Sequence, residues 1–217
     1  VQVWDLSSGE RVLHLKPESD PCQALRYRSD GLLAMVFGRG VIVCCDGAGN
    51  VVETYQLPET RDLYDYHLRF SPDETALIAG IPDGHVEVIE LKTKRRRRFR
   101  VDPRAMIAMN LSPDGETLIT SGDDGYIRLW DWRTGTLQQE LHFGSSWIHG
   151  LEMTPEGDRL ITGSEHTITF WDVERGSQIV SISLGKCVAK MALSPDGTHL
   201  AVADSDGRIQ LWESRPE

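Results

Sequence analysis

No apolar stretch in this 217-residue chain approaches the roughly 20 residues needed to cross a bilayer as a helix. The sequence has no H-E-x-x-H, no phosphate loop, no G-x-S-x-G and no dinucleotide fingerprint. Histidines 14, 67, 85, 142, 149, 166 and 199 are scattered without ligand spacing. No catalytic residue, metal ligand or cofactor site is therefore assigned, and the expectation is a protein that is not an enzyme. The four cysteines, at 22, 44, 45 and 187, include no C-x-x-C pair and each sits in an apolar, strand-like run. Buried free thiols are expected, with Cys44 and Cys45 on opposite faces of one strand. Positive charge is scarce: 23 Lys and Arg against 33 Asp and Glu leave a net charge of −10. That balance disfavours nucleic acid as the partner, because phosphate binding needs a basic surface. There is no initiator methionine, since the chain opens Val1-Gln2-Val3-Trp4-Asp5. The natural start is expected upstream, and a targeting segment would be lost with it. A cytoplasmic location with no membrane partner is the working expectation.

What the chain does have is a repeat. Trp130, Trp171 and Trp212 stand 41 residues apart, each closing an apolar segment and followed by an acid. Steps of nearly the same length lead back through Ile89 and Cys45 to Trp4. A second marker runs in phase: Ser71-Pro72-Asp73-Glu74, Ser112-Pro113-Asp114-Gly115, Thr154-Pro155-Glu156-Gly157 and Ser194-Pro195-Asp196-Gly197. Proline presets the backbone, the acid bonds local amides and glycine closes the turn. A third is Asp83-Gly84, Asp124-Gly125 and Asp206-Gly207, a hairpin signal ahead of the tryptophan strand. Each period thus reads as strands a, b, c and d; for one period these are 106–111, 117–121, 126–131 and 137–143. Strands apolar on both faces cannot be satisfied by one sheet, so the sheets must stack.

Together these markers resemble the WD40-repeat family over essentially the whole chain. The resemblance implies an all-β, WD40-like β-propeller serving as an interaction platform. It further implies that Trp4, Trp130, Trp171 and Trp212 pack between blades, and that Asp83, Asp124 and Asp206 tie strands together. The family's Gly-His dipeptide ahead of strand a is absent from every blade. Its histidine–tryptophan hydrogen-bond network is therefore not expected, and cohesion should rest more on apolar packing. Four full blades are assigned to 22–58, 64–101, 105–143 and 147–184, with partial blades at 1–17 and 187–214. This fits a fragment of a larger propeller, of seven blades for example, or a five-bladed ring closed by the N-terminal strand d. An incomplete ring would expose two apolar faces and favour self-association.

Loops on a rigid scaffold carry recognition, so the contact candidates lie in the segments leading into strand a. They are Trp147 and His149, with Tyr64, Tyr66, Arg104 and Lys186 on the corresponding segments. The run Lys92, Lys94, Arg95, Arg96, Arg97, Arg98 and Arg100 falls on the c–d turn and outer strand d, where charge guards an exposed edge. The functional expectation is a non-catalytic scaffold that binds a protein or peptide through rim loops, within a longer multidomain protein. Three alternatives stand beside it: a sensory propeller appended to a bacterial Ser/Thr kinase, a channel-based hydrolase or small-ligand binder, and a nucleic-acid contact through 92–100.

Overall fold

The computed structural model describes residues 1–5, 7–14, 21–60, 66–144 and 147–214. The chain starts with β1 (Gln2–Trp4) and β2 (Arg11–His14), which pair with each other. Four antiparallel meanders of four strands follow. The first contains β3 (Cys22–Tyr27), β4 (Leu33–Phe37), β5 (Val41–Cys45) and β6 (Val51–Gln56). The second contains β7 (His67–Phe70), β8 (Ala76–Ile81), β9 (His85–Glu90) and β10 (Arg96–Arg100). The third contains β11 (Met106–Leu111), β12 (Thr117–Gly122), β13 (Tyr126–Asp131) and β14 (Thr136–His142). The fourth contains β15 (Ile148–Met153), β16 (Arg159–Ser164), β17 (Thr167–Asp172) and β18 (Ser177–Ser183). A fifth sheet has three strands, β19 (Val188–Leu193), β20 (His199–Asp204) and β21 (Ile209–Glu213). The class is all-β, in blades of the β-propeller type. Compactness divides the chain into two units, Val1–Arg98 and Phe99–Glu217.

The turns form for the chemical reason their sequences advertise. Ser112 Oγ donates to Asp114 Oδ1 (2.5 Å) and accepts the Thr117 amide (2.9 Å), while the Gly115 amide bonds Ser112 O (2.8 Å). Ser194 and Asp196 repeat this arrangement, and the Ser194 hydroxyl holds the Asp196 carboxyl down at about 2. In the turn at Ser71, Glu74 takes the place of glycine with φ of 55°. Its carboxylate spans to the preceding blade, accepting the Ser29 amide (2.8 Å) and hydroxyl (2.5 Å). A left-handed conformation costly for a side chain is thus offset by a link between two blades.

Within the first unit, β4 shows why blades must stack. Leu33 and Met35 pack on one side with Cys45, Val1 and Val3. Ala34 and Val36 pack on the other with Ile42, Cys44, Leu68, Leu77 and Ile81. Successive side chains point to opposite faces, and both faces are dry. Cys44 and Cys45 accordingly fall in different clusters, and all four cysteines are unpaired thiols. Cys45 and Ile89 are fully buried at the positions tryptophan holds elsewhere.

In the second unit, Ile127, Leu129 and Leu141 of the third blade pack against Ile148, Leu151, Met153, Leu160 and Trp171 of the fourth. Ile161 and Ile168 pack in turn against Val188, Leu200 and Val202 of the fifth sheet. Trp130 and Trp171 are buried and donate their indole N–H to Thr120 (3.0 Å) and Thr162 (3.1 Å) on strand b. Trp212 is partly buried against the last of these clusters. Trp4 departs from the expected packing role, being 52% exposed. Among the described residues its sheet holds β1 and β2.

Gly122 closes β12 directly beneath the Asp102 carboxylate. An added Cβ would overlap that carboxylate and stand 2.9 Å from Ala105 O. Asp102 is held there by hydrogen bonds from the Arg104 and Ala105 amides and from Arg128. Gly122→Ala should therefore destabilise the chain by about 1–3 kcal/mol in chemical denaturation. Gly47→Ala, with no described atom within 4 Å of the new Cβ, should stay within about 0.5 kcal/mol.

Candidate functional site

In the second unit, the loops leading into β11, β15 and β19 carry Arg104, Trp147 and Lys186, all exposed. Each blade's b–c hairpin emerges at the same end as its own loop, as the strand a–strand b pairing requires. The Asp123-Asp124, Glu165-His166 and Ser205-Asp206 pairs belong to those hairpins. Trp147 is 41% exposed, and its ring meets that of His149 edge-on with centroids 6.2 Å apart. Burial lowers the His149 pKa below the usual imidazole value; Glu165 opposes the shift and Lys190 adds to it. The imidazole is therefore neutral at pH 7, and the pair offers an aromatic surface without charge. Lys186 is bound to Asp206 at 2.8 Å, which fastens the loop to the hairpin beside it.

The three hairpin aspartates do not share one role. Asp83 accepts the His85 amide (3.2 Å) and pairs with Arg98 of β10 (2.6 Å), joining the b–c hairpin to strand d. Asp124 accepts the Tyr126 amide (3.1 Å) and pairs with Arg128 (2.6 Å). In the last sheet the amides of Asp206 and Arg208 are capped by Asp204 instead, at 2.9 and 3.0 Å. Asp206 turns to Lys186.

One arrangement had no sequence signal. Asp102, ahead of strand a where the family places its Gly-His dipeptide, is buried and accepts the amides of Arg104 (2.8 Å) and Ala105 (3.1 Å). Arg128 reaches it at 3.0 Å and also engages Asp124 and Glu140 (2.7 Å). Burial pushes the Asp102 carboxyl above its ordinary value; the Arg104 amide opposes this, Asp124 adds to it, Arg128 opposes and Asp123 adds. Arg128, stacked over the Tyr126 ring, brings its positive charge to this acidic group. An Asp–Arg–Asp bridge thus joins the d–a loop to the hairpin of its own blade, so cohesion is not carried by apolar packing alone. An open groove of about 520 Å³ beside it is lined by Arg100, Val101, Asp102, Pro103, Arg128 and Trp130. Its arginines are already engaged: Arg100 donates to Asp102 O and Pro103 O.

The other candidates divide. Tyr66 is not a surface contact: it is buried in the first unit's core and its hydroxyl donates to Pro58 O (2.8 Å), beneath Gly40. Its flanking sequence read as a loop, whereas its ring fills the space between two blades. Tyr64 lies outside the described residues. Trp132, on the c–d turn, is buried against Gly115 O (2.8 Å) and covered by Arg133.

The basic run occupies the c–d turn and the outer strand, as its phase requires. Arg96, Arg98 and Arg100 share one face of β10. Arg96 pairs with buried Glu87 and donates to Gln56 O (2.7 Å), and Arg98 pairs with Asp83. Lys94 pairs with Glu53 on the neighbouring blade. Arg97 points to the other face and is half-buried, while Lys92 and Arg95 are exposed on the turn. Much of this charge is therefore spent inside the fold. Among the described residues, no group of three or more His, Cys, Asp or Glu is placed to hold a metal ion.

The family described as "WD domain, G-beta repeat" matches residues 102–131, 135–172 and 179–213. The chain is 25% identical to Protein groucho of Drosophila melanogaster over 72% of its length and 22% of that protein's. It is 30% identical to Small ribosomal subunit protein RACK1y of Oryza sativa subsp. japonica over 67% of its length and 46% of the relative's. It is 25% identical to Cilia- and flagella-associated protein 52 of Homo sapiens, over 67% of its length and 24% of the relative's. The chain spans less than half the length of each of these relatives.

The buried bridge makes a pH-dependent prediction. Arg128→Met would leave Asp102 buried beside Asp124 and Asp123 without its cation, destabilising the chain by about 3–5 kcal/mol at pH 7. The Asp102 pKa, already raised when folded, would rise further, so the folded state would bind its proton more tightly than the unfolded state. Stability of the variant should then fall as pH rises from the unfolded carboxyl value through the folded one. Urea titrations at pH 4 and pH 7 should show the smaller deficit at pH 4.

Proposed function

We propose that this chain, which belongs to the WD40-repeat family, is a non-catalytic scaffold that binds a protein or peptide through the loops leading into strand a. The observation that carries the reading is Trp147, a large aromatic 41% exposed on a loop of a rigid blade. Exposed Arg104 and Lys186 hold the equivalent places in the blades before and after it. Aromatic and arginine side chains set among polar neighbours are the usual anchors of protein interfaces. The names of two relatives, a small ribosomal subunit protein and a cilia- and flagella-associated protein, place them in larger assemblies, which supports a binding role. The scaffold is proposed as one portion of a longer polypeptide. Nucleic acid is the weaker reading, because Lys94, Arg96 and Arg98 already face Glu53, Glu87 and Asp83, and the chain carries a net charge of −10.

The test compares the two ends of one blade set. Proteins captured by the immobilised chain are quantified by mass spectrometry for wild type, Trp147→Ala and Arg133→Ala. Arg133 lies on the opposite turn with its side chain 43% exposed. Trp147→Ala should weaken specific capture by about 30-fold, the loss of one interface anchor, and Arg133→Ala should leave it unchanged. Equal capture by all three would exclude this rim as the binding surface.

A further inference from the structure

Neighbouring blades do not meet alike at their a–b turns. Between the first and second blades, Glu74 reaches across to Ser29. Between the fourth blade and the fifth sheet, Gly197 lies so close to Pro155 that an added Cβ would stand 2.7 Å from its ring. Gly157 holds the same turn position in the fourth blade, yet an added Cβ there would meet no described atom within 4 Å. Here a cleft of about 180 Å³ opens between the turns of the third and fourth blades.

The cleft has an apolar floor and an acidic mouth. Buried Leu129 and Met153 form the floor with half-buried Val173, and all three belong to the core that these two blades share. Pro113 and Pro155 face it from the two turns, and the carboxylates of Asp114 and Glu156 are exposed at its mouth. The Ser112 hydroxyl and the Glu116 amide hold the Asp114 carboxyl below its ordinary value, so it is ionised at neutral pH. No basic side chain is among the lining residues. Arg133, Arg159 and Arg175 on the nearby turns pair with Glu116, Asp158 and Asp172 instead. The cleft is smaller than the roughly 300–1,000 Å³ of a small-molecule site. An apolar side chain carried between cationic neighbours complements both its floor and its mouth.

We propose that this cleft is a docking site for an extended segment of a partner protein, which inserts a leucine-sized aliphatic side chain flanked by arginine or lysine. The aliphatic group covers Leu129, Met153 and Val173, and the flanking cations meet Asp114 and Glu156. The site lies at the end of the blades opposite Trp147 and does not rest on the reading of the rim loops.

The probe is the pentapeptide Ser-Arg-Leu-Arg-Ser, capped at both ends and titrated into the full chain while backbone amide chemical shifts are followed by NMR. Shifts should saturate at roughly millimolar peptide, the affinity expected of one buried side chain, and centre on the amides of 112–117 and 153–157. Replacing the peptide's leucine with serine keeps its charge and should weaken binding by about tenfold or more. Glu156→Lys, at an exposed position, should weaken it by about threefold or more. Glu59→Lys makes the same charge change on another blade and should leave binding unchanged. The proposal is overturned if about 10 mM peptide leaves those amides unshifted, or if the serine peptide or the Glu156→Lys chain binds equally well. It is also overturned if the same amides shift with protein concentration alone as light scattering shows a doubled mass, which would make the occupant a second copy.

Discussion

A sheet with apolar residues on both faces has no stable existence alone, and every other feature of this chain follows from that constraint. β4 divides its side chains between two clusters, Leu33 and Met35 on one side and Ala34 and Val36 on the other. β12 and β16 behave alike, with interiors that are almost wholly buried. Each buried aliphatic side chain contributes on the order of 1.5–3 kcal/mol when water is excluded from it. That contribution is realised only where a neighbouring blade closes the face. The repeat period is the sequence's record of this requirement, because each blade must present the same shape to the next.

Polar groups are arranged around that stack so that few are left to solvent by accident. The indole N–H groups of Trp130 and Trp171 reach strand b threonines, and the serine and aspartate of the a–b turns at Ser71, Ser112 and Ser194 satisfy one another and the backbone. Asp102 and Arg128 join a loop to its hairpin, and the arginines of β10 are matched by Glu87 and Asp83. Trp147 is 41% exposed with its ring edge-on to His149, whereas Trp132 is buried with its indole N–H bonded to Gly115 O.

Strand order and turn chemistry were legible in the sequence because both are local. The period of the tryptophan site and the Ser-Pro-Asp-Gly markers place the strands of the third blade within one residue of their observed ends. What escaped was set by neighbours. Trp4 precedes an aspartate as Trp130 does, yet it is 52% exposed where Trp130 is buried. Tyr66 read as a loop aromatic, yet the glycine conformation at Gly40 opens a pocket that its ring fills. Asp102 carried no motif, and its partner Arg128 is 26 positions away, so only the folded hairpin brings them together. The basic run was legible as an outer strand, but its pairing partners on β9 and β6 were not.

The central claim is that coverage by a neighbouring blade, not strand sequence, determines stability here, and β13 and β21 isolate it. They share the Ile-x-Leu-Trp pattern and differ in whether their faces and edges are covered. Native-state amide exchange measured on the isolated chain compares them directly. The account predicts that β13 amides exchange only through global unfolding, whereas β21 amides exchange through local opening and are far less protected. Equal protection of the two strands would contradict it.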